Sequence, residues 1–332
     1  MEKILIYFSS VFSGAKIAVA EIGSNPDSAK IFALRGLLIS CLVAAAITTT
    51  LTSYDNLKDN EYKLFKSQFK TTAQNSLSAV VNSFDRMNSG IQGIASTYSH
   101  NFPDQNTWPH SAWTGFLPTS KHIGKVSAVE TIIVLPIVKP DQVNEYQNYI
   151  ASYYNGTDPY SSIKNTMLPI FSPGTIWRAD RTTLKPSYYA DRFGNSTNSK
   201  HQILTPIMQY SAPKKYWTGY NIHSDSLYTS SIDTLIDCFE NDKNEMITNS
   251  CGVLMSAIRF PYASNYVDDL TIEDIVAGFI HPIYPVNNQS SLVGIVIGSI
   301  GWKQLLTRTF PTSTNGIYCV ISTDTGSFTF YI

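Results

Sequence analysis

The sequence predicts an α+β protein carried on a single transmembrane helix, and three observations point there. A charge-free apolar run lies near the N-terminus, and a long proline-free stretch behind it keeps helical periodicity. The remainder alternates short apolar runs with turn residues, as a mostly antiparallel sheet requires.

Composition narrows the class. Of 332 residues, 43% are hydrophobic, enough for a sizeable core, and 15% are charged, below the ~25% usual in soluble domains. Tyr, Phe, Ser, Thr and Asn take the place of Lys and Glu, which suits an exported surface. A net charge of −1 gives no footprint for nucleic acid. The histidines are scattered without metal-ligand spacing, and neither a metal nor a cofactor is implied.

The first apolar stretch, Ile4 to Phe12, is too short to span a bilayer. From Gly36 to Thr52 runs GLLISCLVAAAITTTLT, and the preceding IFAL extends it to Ile31, interrupted only by Arg35. At ~1.5 Å per residue this crosses a ~30 Å hydrocarbon core, with Arg35 reaching to the interface. The run is apolar on all sides and too far from Met1 for an ordinary signal peptide. Lys3, Lys16, Lys30 and Arg35 before it nearly balance Lys58, Lys63, Lys66 and Lys70 after it. Orientation therefore follows size: the short tail stays cytoplasmic and the long remainder is extracellular, at the plasma membrane. The expected divisions are a tail over 1–30, a membrane helix over 31–53, a juxtamembrane helix over 54–100 and an ectodomain over 101–332.

Between Tyr54 and Tyr98, Phe65, Phe69, Ala73, Leu77, Val80, Phe84, Met87, Ile91, Ile94 and Tyr98 recur by threes and fours. From Leu77 the alternation is strict, as a packing seam demands. Such a helix either packs on its own domain or dimerises as a signalling stalk over 54–98, and the two are compatible. Pro103 ends the pattern. Beyond it, Val129–Val138 predicts a strand, Asp141–Tyr154 a helix, and Asn155–Asn198 loops. HQILTPIMQY and CGVLMSAIRF predict strands, and Thr271–Gly278 a short helix or turn. SSLVGIVIGSIGW is a long strand, WKQLLTRTF a helix, and the end a hairpin around Asp324–Gly326.

Cys41 lies in the membrane run and Cys319 in an apolar strand, as a free thiol. Cys238 and Cys251 flank a polar loop. In an oxidising compartment they form a disulfide worth ~3 kcal/mol by chain entropy; with inverted topology they are reduced core residues. Sequons at Asn155, Asn195 and Asn288 fall in predicted loops beyond the membrane run.

No catalytic signature occurs: Gly298-Ser-Ile-Gly301 has the wrong spacing for a nucleophile elbow, and P-loop, GxGxxG, HExxH and CxxC are missing. Asp268-Asp269 and Glu273-Asp274 fit helix caps better than acid–base pairs. Arg178 and Arg181 beside Trp177 form a candidate anion clamp, against the plainer reading of surface arginines. Trp177, Tyr188, Tyr189 and Tyr262 form a candidate aromatic pocket, against ordinary core packing.

YDNLKDNEYKLFKSQF, GIQGIAS, NTWPH, VETIIVLPIVKPDQVNEYQNY, LPIFSP, IHPIYPV, VGIVIGSIGWKQLL and FPTSTNGIYCVISTDTGSFTFYI occur in this order. Over Leu34–Ile332 they resemble the extracellular, CHASE-like sensor region of diatom-type receptor guanylate/adenylate cyclases. The last third is the most specific part, and the middle matches poorly. The resemblance implies a PAS/Cache/CHASE-like domain in a ligand-sensing receptor. It also implies a second membrane helix and a cyclase domain past Ile332, so the chain is expected to be C-terminally truncated relative to that family. An unidentified extracellular ligand, the lipid bilayer and a second copy are the expected partners. The alternative is an anchored adhesion or interaction ectodomain.

Overall fold

A computed structural model describes residues 26–127, 129–155, 174–179, 186–188, 203–211, 218–242, 251–259, 275–310, 316–323 and 326–332. It holds mixed helix and antiparallel sheet behind one long N-terminal helix. That helix, α1, runs Pro26–Asn101, and the chain divides within it into two compact units, Met1–Ala73 and Gln74–Ile332.

In the first unit, α1 is long and apolar enough to cross a membrane. Its large residues, Leu34, Leu37, Leu42 and Leu51 among them, are exposed. The hydroxyls of this stretch are satisfied inside the helix. Ser40 donates to Gly36 O (2.9 Å), Thr49 to Ala45 O (2.7 Å), Thr50 to Ala46 O (2.7 Å) and Thr52 to Thr48 O (2.6 Å). Back-bonding of this kind lets Ser and Thr sit where no water can solvate them.

In the second unit, a five-stranded antiparallel sheet forms the middle layer. Its strands are β1 (Thr131–Pro136), β4 (Gln209–Tyr210), β5 (Val253–Arg259), β6 (Ile275–Ile283) and β7 (Gly294–Gly301). Two short pieces, β2 (Trp177–Ala179) and β3 (Pro186–Tyr188), pair separately. The spatial order is β4-β1-β7-β6-β5, so the first and last strands of this sheet lie side by side at its centre. β7 is buried on both faces, and its run of Ile and Val reflects that.

One face is covered by the C-terminal part of α1, α2 (Phe116–Ser127), α3 (Val143–Asn155) and α5 (Trp302–Thr309). Met87, Ile91, Ile94 and Tyr98 from the helical seam are buried there, with Phe84 packed edge-on against Phe279 and Trp302. Gly298 on β7 permits this: a Cβ there would stand 2.0 Å from Ile91 Cδ1. The seam from Val80 onward is thus spent on the chain's own sheet. Leu77, 66% exposed, lies outside that core, as do Phe65 and Phe69.

The opposite face carries α4 (Ser226–Asp242), whose Tyr228, Ile232, Leu235, Ile236 and Phe239 are buried. Sequence reasoning does not anticipate α4 or α2. A disulfide joins Cys238, at the end of α4, to Cys251 before β5, the pair expected. Cys238 lies within the helix. The hairpin of β8 (Tyr318–Thr323) and β9 (Gly326–Tyr331) packs Phe330 against Leu306 of α5. Cys319 is a half-buried free thiol on β8, and Cys41 an exposed one on α1.

Two expectations are corrected. Residues 275–278 are strand, because β6 pairs with β5 on one side and β7 on the other. Of the run HQILTPIMQY, the described residues 203–210 hold β4 and isolated bridges at Leu204 and Pro206, since proline has no N–H to give a ladder.

Candidate functional site

An open groove of about 430 Å³ lies within the second unit. One wall is α1: Ser89, Gly93, Ser96 and His100 form its exposed line, one step round from the buried seam, with Gln92 and Ser99 beside them. The other wall is His281 and Pro282 at the end of β6, then Tyr284, Val286 and Gln289 of the following turn.

The imidazoles have defined edges. His281 Nε2 lies 2.5 Å from Asn88 Oδ1, and because the amide oxygen only accepts, Nε2 carries the proton. His281 is buried, and desolvation of the charged form lowers its pKa from 6.5 to about 4. Its ring lies over Gly252, where a Cβ would stand 2.7 Å from Cε1. His100 Nδ1 donates to Ser96 O at 2.8 Å, which leaves its Nε2 edge for other partners. Tyr284 stacks on Phe239 with centroids 6.2 Å apart. Among the described residues, no Asp, Glu, Lys or Arg lines the groove.

The residues favoured by sequence reasoning lie elsewhere. Trp177 is buried, donates from Nε1 to Thr218 O (2.9 Å) and packs on Tyr220 at 4.8 Å, which makes it a core residue. Arg178 is half-buried on β2, and neither lines the groove. Tyr188 is in β3. Arg181, Tyr189, Tyr262, the Asp268-Asp269 and Glu273-Asp274 pairs and Asn195 fall outside the described residues. Asn155 ends α3 rather than occupying a loop. Asn288 does sit in a turn, where it accepts from Ser290 Oγ (2.6 Å) and donates from Nδ2 to Gln105 Oε1 (2.7 Å).

A second polar cluster lies under the opposite face. His223 Nδ1 donates to Ile203 O (3.1 Å), and Nε2 meets Asp233 Oδ1 at 2.8 Å. Tyr220 Oη donates to Asp225 Oδ2 (3.0 Å), and Asn221 Oδ1 accepts from Thr205 N (2.9 Å). Its buried groups are tied to one another, and it holds the loops before α4 in place. Among the described residues no group of His, Cys, Asp and Glu is arranged to hold a metal.

Comparison with protein-family models and with curated proteins finds no match to this chain.

Proposed function

We infer that this chain is the membrane-anchored, extracellular ligand-sensing region of a receptor. The observation that carries the reading is α1 itself. One helix supplies the apolar, exposed stretch suited to a bilayer and, further along, both the buried seam of the sheet unit and one wall of its groove. A ligand that favours one placement of that wall has a helix on which to act. The antiparallel sheet with a long helix along one face supports a PAS/Cache/CHASE-like domain. The Cys238–Cys251 disulfide suits an oxidising compartment. The resemblance to receptor cyclases supports cyclic-nucleotide output from a domain other than those described, and no catalysis is assigned to these residues. The exposed Tyr54, Leu57, Phe65, Phe69 and Leu77 of α1 support a second copy as partner along that stretch.

A test is expression of the chain in a eukaryotic secretory host. The expected result is resistance to alkaline carbonate extraction, a glycan on Asn288 and a Cys238–Cys251 peptide in a non-reducing map. An extractable, unglycosylated protein with both thiols free would sink the reading. The alternative, an anchored interaction ectodomain, is favoured by the outer face of the terminal hairpin, where Tyr318, Val320 and Tyr331 are exposed. Changing these three to Ser and scoring loss of cell–cell association would separate the two.

A further inference from the structure

We propose that the groove between α1 and the β6–β7 turn binds a small, uncharged, polyhydroxylated molecule of the monosaccharide or cyclic-polyol class. The inference rests on the sensor reading only in taking this groove as the ligand's place.

Charge is the first discriminator. Among the described residues its walls carry no Asp, Glu, Lys or Arg, and their titratable side chains are His100, His281 and Tyr284, so an ionic ligand meets no permanent counter-charge there in return for the hydration it gives up. Burial keeps His281 neutral down to about pH 4, so it adds none. Hydrogen-bonding type is the second. Ser89, Gln92, Ser96 and Gln289 carry groups that both donate and accept. Hydroxyls are the ligand groups that match either role, whereas an apolar ligand would strand these side chains. Shape is the third. Pro282, Val286 and the Tyr284 ring offer apolar surface to the C–H face of a sugar, and Tyr284 is steadied by its stacking on Phe239. A volume of about 430 Å³ suits one or two rings, toward the small end of ligand pockets.

Gly93 provides the test, because a Cβ there meets nothing within 4 Å while the residue lines the groove. A large side chain at this exposed helical position fills the site without entering the core, and losing a glycine favours the helix. Saturation-transfer NMR on the full chain in nanodiscs would use glucose and myo-inositol as neutral probes. Glucuronate, glucose 6-phosphate and glucosamine would serve as charged competitors. The expected result is transfer to a neutral probe, retained in Gly93→Ala and lost in Gly93→Phe and in Ser96→Phe, with unchanged circular dichroism. Charged competitors are expected to displace it roughly tenfold less well. The proposal is overturned if neither neutral probe receives transfer, if both Phe variants bind like the parent, or if charged competitors match the neutral ones. Failure of binding with membrane retention and the Asn288 glycan intact removes this ligand class and leaves the sensor reading standing. Loss of membrane retention removes the sensor reading whatever the sugars do.

Discussion

His281 links burial, tautomer and pH response in one side chain. Its Nε2–H is committed to Asn88, and its pKa is lowered from 6.5 to about 4 by desolvation. Because the folded-state value lies below the unfolded one, the unfolded chain takes up the proton first as pH falls. Stability contributed by this residue is therefore level above about pH 6.5 and declines toward pH 4, by at most about 3 kcal/mol. His281→Gln keeps a donor for Asn88 but cannot titrate. Denaturant unfolding of the two proteins at matched pH values is expected to show a flatter slope for the variant across that window. Equal slopes would mean that His281 is not the titrating group. No sequence pattern marks this residue, because its partner is 193 positions away.

At the scale of elements, the disulfide fastens the end of α4, packed on one face, to β5 at the edge of the sheet. The bridged residues are 13 apart, so the chain-entropy argument assigns about 3 kcal/mol to the closed loop. The Cys238→Ser, Cys251→Ser double variant is expected to lose about that much in urea unfolding, with little change in m-value. A loss below about 1 kcal/mol would show that the bridge constrains the unfolded chain less than its loop length implies.

The elements differ in how far the sequence reveals them. The Val80–Tyr98 seam follows from its helical periodicity, β1, β5 and β7 from short apolar runs, that of β7 being buried on both faces, and the terminal hairpin from two short runs about a turn. α4 keeps helical spacing in Tyr228, Ile232, Leu235, Ile236 and Phe239. Its opening SLYTSS, however, carries Ser and Thr, whose hydroxyls compete for the backbone and obscure the helix. The groove is less legible still. Ser89, Gly93, Ser96 and His100 are visible as an exposed line on a helix, yet nothing local says that the turn after β6 comes to rest beside them.

In the whole molecule, the layers depend on pairing between distant segments. β1 at 131–136 forms its full ladder with β7 at 294–301, and Ile91 of α1 lies over Gly298 of that same strand. Loop closure on this scale is entropically costly before the contacts form, and sheets built this way assemble slowly. It also sets a sequence of events during synthesis. The buried side of α1 leaves the ribosome roughly two hundred residues ahead of the strand that shields it, which is tens of seconds at ~5–20 residues per second. Until then Met87, Ile91, Ile94 and Tyr98 have no sheet to cover them. Nascent chains arrested before residue 294 are therefore expected to cross-link to chaperones through this face, and chains arrested well past residue 301 to release them. The strand at the centre of the fold thus acts as a clock, fixing the last moment at which the newborn protein needs an escort.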